Sequence, residues 1–81
     1  MRISYSVKAL SDLGKIPQNI VKTFYKQVLF LETNLRHPSL RAKKYDESRD
    51  LWQARVNQHW RFYFTIKDEE YYIEEIIPHP K

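Results

Sequence analysis

Residues 51–66 read LWQARVNQHWRFYFTI, and the alternation in this stretch predicts a β-hairpin from which the rest of the chain can be placed. Side chains point to opposite faces along a strand, so Trp52, Ala54 and Val56 share one face of the first strand. The second strand has a wholly apolar face, formed by Trp60, Phe62, Phe64 and Ile66. When the two apolar faces coincide, Val56 pairs with Trp60 across a three-residue turn.

In the same register, Arg55 lies directly opposite Arg61 on the other face of the hairpin. Like charges at such positions destabilise a sheet by about 0.2–1 kcal/mol. A bound anion would relieve the repulsion, and phosphate matches the planar fork of an arginine. The alternatives are that the arginines extend into water, or that Glu74 or Glu75 from the next strand neutralises them. Strict alternation puts these two carboxylates on opposite faces.

The segment before the hairpin predicts one strand and two helices. Residues 2–7 alternate polar and apolar side chains, the period of a half-buried strand. Residues 8–13 have short helical spacing, and Gly14 follows where a helix would end. From Gln18 to about Leu35, apolar residues recur at intervals of three and four and form one stripe of a helix of roughly five turns. That stripe needs a sheet to cover it.

The segments on either side of the hairpin complete the predicted architecture. Residues 36–50 are rich in charge and have no sustained period, so we expect an exposed connection. Residues 70–77 are rich in aromatic and β-branched side chains and predict a third strand after a turn at 67–69. Short turns imply antiparallel neighbours. The predicted fold class is α+β: a strand, a two-helix hairpin and a three-stranded antiparallel meander in one sheet, with the helices packed on one face. Residues 1–81 are expected to form a single domain.

The composition excludes several classes of site. The chain has no cysteine, which removes thiol nucleophiles and cysteine-ligated zinc, and its three histidines are widely spaced. A single glycine excludes the glycine-rich loops that hold nucleotides. We therefore expect no metal and no other cofactor. Because no apolar run has the length of a signal or a membrane span, we expect a cytoplasmic protein without membrane association.

Charge is distributed unevenly along the chain, whose net charge is +4. Residues 36–61 contain seven basic and three acidic side chains, whereas residues 62–77 contain one basic and five acidic ones. This asymmetry favours an anionic ligand near the middle of the chain. A solvated charged surface without any ligand is the alternative.

Among the three histidines, His79 is the best candidate for chemistry. Pro78 and Pro80 restrict the backbone on either side of it, so the imidazole can be held in one direction just beyond the last strand. Imidazole is also the side chain best suited to proton exchange near neutral pH. His37 is expected to cap carbonyl groups at the end of the long helix, and His59 is expected to be exposed in a turn.

A set of short motifs resembles the RelE/ParE toxin superfamily over essentially the whole chain. The motifs are the runs HPSLR at residues 37–41, KKY at 43–45, LWQARV at 51–56, HWRFYF at 59–64 and IIPHP at 76–80. The resemblance implies the fold described above. It implies one of two activities, because RelE-like, YoeB-like, HigB-like and YafQ-like members cleave mRNA on the ribosome and ParE-like members inhibit DNA gyrase.

The resemblance also implies roles for individual residues. Arg61 matches the arginine that contacts the scissile phosphate, and Arg55 falls where RelE-like members have a basic residue on the preceding strand. His79 resembles the proton donor near the carboxyl terminus of YoeB-like and YafQ-like members. RNA-binding roles are implied for Arg41, Lys43, Lys44 and Lys81. Gln53 stands where RelE-like members have a lysine.

The implied function is that of a toxin of a type II toxin-antitoxin system, a metal-independent endoribonuclease that cleaves mRNA on the ribosome. Cleavage would use attack of the RNA 2′-hydroxyl on the adjacent phosphate, with Arg61 and Arg55 stabilising the charge and His79 protonating the leaving oxygen. The expected partners are mRNA on the ribosome and a cognate antitoxin with an acidic or amphipathic segment. The alternatives are a ParE-like gyrase inhibitor, or a binding module without catalytic activity.

Overall fold

The computed structural model describes residues 1–79, and Lys81 lies outside the described residues. Residues 1–79 contain five strands, two α-helices and one short 3₁₀ helix. Their bounds are β1 Arg2–Tyr5, α1 Val7–Lys15, α2 Gln18–Thr33, the 3₁₀ helix Pro38–Leu40, β2 Lys43–Asp46, β3 Leu51–Arg55, β4 Trp60–Lys67 and β5 Glu70–Pro78.

The strands form one sheet in the order β1-β5-β4-β3-β2. β1 runs parallel to β5, and the other neighbouring strands are antiparallel. The apolar side chains of α1 and α2 share a single core with one face of the sheet. The predicted α+β class, with one sheet and the helices on one face, is confirmed.

One part of the prediction is wrong: residues 43–46 belong to the sheet as β2, so the meander has four strands. The sequence KKYD alternates exposed and half-buried side chains, but it is short and almost wholly polar. It lies at the edge of the sheet, where lysines are favoured because they discourage pairing with other chains. An edge strand of this kind has no apolar face from which it could be recognised.

The core lies between the long helix and the centre of the sheet. Phe24 and Leu31 of α2 and Phe62 and Phe64 of β4 are fully buried. The rings of Phe24 and Phe62 meet edge to face with centroids 5.3 Å apart, a favoured geometry for aromatic pairs. The apolar stripe of the helix and the apolar face of the hairpin therefore cover each other, as their spacing predicts.

The helix ends differ slightly from the prediction. Helix α1 includes Gly14 and ends after Lys15, because Ile16 adopts the extended backbone that a following proline imposes, here Pro17. Helix α2 ends at Thr33, shortly before the predicted end. Neither helix of residues 1–79 combines the length and the apolarity that crossing a membrane would require.

Candidate anion-binding cleft

The β3–β4 hairpin brings the two central arginines together. Arg55 is the direct partner of Arg61 in the register of the two strands, and the backbone amide of Val56 donates to the carbonyl of Trp60 at 3.0 Å. The predicted pairing is therefore confirmed. Because the apolar residues of both strands face the helices, the arginines lie on the face of the sheet that the helices leave open.

The arginine pair lines a cleft of about 370 Å³. Its lining residues are Arg41, Lys43, Gln53, Ala54, Arg55, Arg61 and His79. Four of these are cationic and none carries a carboxylate, so the cleft is a candidate site for an anion. The structure thus brings together all the predicted site residues except Lys44 and Lys81.

Lys44 lies elsewhere, because β2 alternates its side chains and presents Lys43 to the cleft and Lys44 to the opposite face. There the Lys44 ammonium is 5.2 Å from the centre of the Trp52 ring and forms an ion pair with Asp50. These contacts raise the pKa of Lys44, chiefly through the hydrogen bond with Asp50. Lys44 is therefore part of a neutralised surface and not of the cleft.

Backbone carbonyl groups hold Arg61 in place. Its Nη1 donates to the carbonyl oxygens of Asn57 at 2.8 Å and Trp60 at 3.0 Å, both at the β3–β4 turn. Burial lowers the pKa of Arg61, and the positive charges of Arg55 and Arg41 lower it further. An arginine remains protonated under such a shift, whose direction reflects burial and the two neighbouring positive charges.

Arg55 has an unpaired donor. Its Nε is buried and has no hydrogen-bond partner among residues 1–79. The ion pairs formed within these residues do not include Arg55, Arg61, Arg41 or Lys43. A buried donor without a partner is costly, and an acidic ligand would satisfy it.

Neither Glu74 nor Glu75 neutralises the arginine pair in the described part of the chain. Glu74 accepts a long hydrogen bond from the Thr65 hydroxyl at 3.5 Å, and Glu75 lies 3.6 Å from the ammonium of Lys8. Both carboxylates line a second cleft, of about 400 Å³, beside Thr65. The prediction that they point to opposite faces is wrong, because a bulge interrupts the alternation of β5 at this point.

His79 reaches the cleft as an extension of β5. Ile77 is the register partner of Arg61, and two residues later the amide of His79 donates to the carbonyl of His59 at 2.7 Å. Since residues two apart in a strand point to the same face, His79 lies on the arginine face. The imidazole therefore lines the same space as the two guanidinium groups.

The other two histidines do not line the cleft. The ring of His37 stacks on Phe30 with centroids 3.9 Å apart, and its Nδ1 accepts from the amide of Ser39 at 3.2 Å. Its side chain caps the start of the 3₁₀ helix. The prediction that it caps carbonyl groups at the end of α2 is therefore wrong. His59 is exposed in the β3–β4 turn, as predicted.

Gln27 is a supporting residue that the sequence analysis did not identify. It is buried in α2, and its Nε2 donates to the carbonyl of Arg55 at 2.9 Å and to that of Ser39 at 3.1 Å. It lies three residues after Phe24 and four before Leu31, on the buried stripe of the helix. An amide at such a position needs partners, and this is the signal that could have revealed it.

The chain shares its fold with solved RelE and YoeB/ParE toxins, which confirms at the level of the fold what the resemblance implies. The YoeB/ParE toxin from Agrobacterium tumefaciens has a TM-score of 0.82 and 9% identity over 99% of this chain and 100% of that one. The archaeal RelE-RelB complex from Pyrococcus horikoshii OT3 has a TM-score of 0.79 and 18% identity over 95% of this chain and 92% of that one. The YoeB-YefM toxin-antitoxin complex from Staphylococcus aureus has a TM-score of 0.78 and 18% identity over 99% of this chain and 98% of that one. No family model matches the sequence, and no curated protein matches it.

Proposed function

We propose that this chain is the toxin of a type II toxin-antitoxin system and that it cleaves mRNA on the ribosome. The supporting observation is the cleft, where two opposed arginines and an imidazole face one space and none of the lining residues that the structure describes carries a carboxylate. Phosphate diesters are anions of the size and geometry that a pair of guanidinium groups binds. The fold shared with RelE and YoeB proteins supports the toxin part of the proposal.

The reaction is an internal transfer at one phosphate of the message. The 2′-oxygen forms a bond to phosphorus and the bond from phosphorus to the 5′-oxygen breaks, leaving a 2′,3′-cyclic phosphate and a 5′-hydroxyl. Arg61 and Arg55 stabilise the negative charge that builds up on the phosphoryl oxygens. The proton of the 2′-hydroxyl passes to water, since no carboxylate among residues 1–79 lines the cleft.

His79 protonates the leaving 5′-oxygen. Its backbone is fixed by the hydrogen bond to His59, and its side chain lines the cleft with Arg55 and Arg61. A positioned acid of this kind contributes about 10²–10⁴-fold to a rate.

The remaining cations extend the surface along the RNA. Arg41 and Lys43 line the cleft beside the arginine pair, where they can contact phosphates next to the scissile one. Lys44 lies on the opposite face, paired with Asp50, so we leave it out of the RNA-binding surface.

The proposed protein partner is an antitoxin that covers the cleft. The neighbouring structures from Pyrococcus horikoshii and Staphylococcus aureus are complexes of RelE with RelB and of YoeB with YefM. An acidic or amphipathic segment of the antitoxin would satisfy the unpaired guanidinium groups and exclude RNA. Translating ribosomes and the antitoxin would both place the chain in the cytoplasm.

A cleavage assay on ribosomes tests this function. Wild-type protein, added to ribosomes that translate a defined message, should produce discrete cuts that primer extension detects. Arg61→Ala should reduce the rate by at least about a hundredfold, the usual loss for one charge-stabilising donor. Lys22→Ala, which removes an exposed cation from α2, is the matched control and should cut normally. An intact message with the wild-type protein would contradict the proposal, and gyrase arrest in its place would identify the ParE-like alternative.

A further inference from the structure

Strand β5 contains one residue more than its partner β4. Phe64 pairs with Ile73 and Tyr63 pairs with Glu75, so Glu74 has no partner in β4. This is a β-bulge, a feature that is common beside active sites because it redirects the side chains that follow.

The bulge changes the direction of the backbone hydrogen-bonding groups of β5. Odd-numbered residues point toward β1 before it and toward β4 after it. Before it, the carbonyl of Ile73 accepts from the amide of Ser6 on the β1 side at 2.9 Å. After it, the amide of His79 donates to His59 on the β4 side. In an unbroken strand, residues 73 and 79 would point to the same edge, since they are an even number of residues apart.

The bulge also reverses the face on which His79 lies. Without it, His79 would share a face with Tyr71 and Ile73, which are buried beneath the helices. With it, His79 follows Ile77, the partner of Arg61, and lines the cleft. The extra residue is therefore the reason that the imidazole and the guanidinium groups line the same cleft.

Two side chains from the start of the chain hold the bulge. The hydroxyl of Ser6 donates to the carbonyl of Glu74 at 2.6 Å, and Oδ2 of Asp12 accepts from the amide of Ile76 at 3.0 Å. The amide of Ile76 points away from β4 only in the bulged register. The hydrogen bond to Asp12 therefore stabilises that register against the regular one, in which the same amide would point toward β4.

We propose that Asp12 and Ser6 are positioning residues for His79, acting through the bulge at Glu74. The catalytic consequence rests on the proposed function, whereas the geometric part does not. Removing the Asp12 acceptor should loosen the bulge and let the imidazole leave the cleft. The arginine pair belongs to a different hairpin and should stay in place.

Single-turnover cleavage of ribosome-bound mRNA tests the catalytic part. Asp12→Ala should lower the cleavage rate at saturating ribosome by tenfold or more and leave the half-saturating concentration within about twofold, as expected when an acid is lost and binding is kept. Asp12→Asn keeps an acceptor oxygen and should restore the rate. Lys8→Ala removes the ion-pair partner of Asp12 on its exposed side, but not the bond to Ile76, and should cut normally.

A second substrate separates positioning from general damage. A message with sulfur in place of the scissile 5′-oxygen has a leaving group that needs no proton. On this substrate Asp12→Ala and His79→Ala should both cut nearly as fast as wild type. An equal loss on the two substrates, or a wild-type rate for Asp12→Ala on the oxygen substrate, would overturn the positioning role and leave the nuclease intact.

NMR of the full chain tests the geometric part without any RNA. Titration with inorganic phosphate should shift the ring protons of His79 in the wild type, and in Asp12→Ala that shift should fall below half. A wild-type chain that does not cut mRNA but shows this difference would overturn the proposed function alone. Equal shifts in the two chains would overturn the proposal about the bulge.

Discussion

Two clusters of basic residues on the same sheet have opposite surroundings. Residues 44–50 comprise the end of β2 and the turn to β3 and are called the turn below. There Lys44 forms an ion pair with Asp50, and Nε of Arg49 donates to Oδ2 of Asp46 at 2.8 Å. In the cleft, Arg55 and Arg61 face each other, and within residues 1–79 no carboxylate lines the space beside them. The protein therefore neutralises one cluster with its own side chains, whereas no ion pair among residues 1–79 includes the arginines of the other.

The pKa shifts in the two clusters record the same difference. In the turn, hydrogen bonds from Ser48 and Arg49 lower the pKa of Asp46 to about 2, which shows a carboxylate that its neighbours satisfy. In the cleft, burial and the positive charge of Arg55 lower the pKa of Arg61, and no ion pair among residues 1–79 includes this arginine. Folding tolerates the second arrangement, and an anion would relieve it.

The largest effect is expected when the cleft is made to resemble the turn. Arg55→Glu places opposite charges across the hairpin, so it should lower cleavage by at least about a hundredfold. It should also leave the free energy of unfolding unchanged or raise it by up to about 1 kcal/mol, because a like-charge pair becomes an opposite-charge pair. A ribosome cleavage assay measures the rate, and urea denaturation measures the free energy of unfolding. A clear loss of stability would show that the arginine pair is already satisfied in the wild type.

The next effect concerns the support of the cleft. Gln27→Ala leaves the carbonyl groups of Arg55 and Ser39 without their buried donor. We expect the free energy of unfolding to fall by about 1–3 kcal/mol, measured by urea denaturation. Lys26→Ala changes an exposed neighbour on the same helix and should have little effect. Equal stabilities of the two variants would mean that water replaces the Gln27 amide.

A smaller effect is expected from phosphate itself. A ligand at ten times its dissociation constant adds about 1.4 kcal/mol to the free energy of unfolding. Phosphate should therefore raise the melting temperature of the wild type above that in chloride of equal ionic strength. Arg49→Ala, in the neutralised turn, should keep this response, and Arg61→Ala should lose it. The reverse order would place the anion site in the turn.

The smallest effect is a pH dependence in the turn. The pKa of Asp46 is about 2 in the folded protein, below its ordinary 3.8, so its stabilising contribution is present above pH 4 and is lost as the pH falls through 2. Asp46→Asn should be less stable than the wild type at neutral pH, and the difference should disappear near pH 2. Ser48→Ala should lose part of the same difference. A difference that persists at pH 2 would point to packing and not to charge.

The fold could be predicted where the apolar pattern is dense. The stripe of α2 and the apolar face of β4 each repeat several times, so their periods were clear and the register of Arg55 and Arg61 followed from them. Strand β2 was not predicted, because a short polar edge strand has no such apolar pattern. Its hydrogen bonds to β3, and not its side chains, make it a strand.

The site could be predicted only in part. The pairing of Arg55 with Arg61 followed from the hairpin register, and the family resemblance implied the other two cations, Arg41 and Lys43. The face of His79 depends on one extra residue in a strand of nine. That extra residue is stabilised by contacts with Ser6 and Asp12, more than 60 residues away in sequence. Local alternation cannot report such contacts, so the sequence placed Glu74 and Glu75 on opposite faces although both line one cleft.

The central claim, that the cleft is an anion site while the turn is internally neutralised, is tested most directly by NMR of the arginine side chains. The Nε–H signals of Arg55, Arg61 and Arg49 should be followed while inorganic phosphate is added at constant ionic strength. We expect saturable shifts for Arg55 and Arg61, with the buried Nε of Arg55 gaining a partner, and no saturable shift for Arg49. Equal responses of all three arginines, or a response of Arg49 alone, would contradict the central claim.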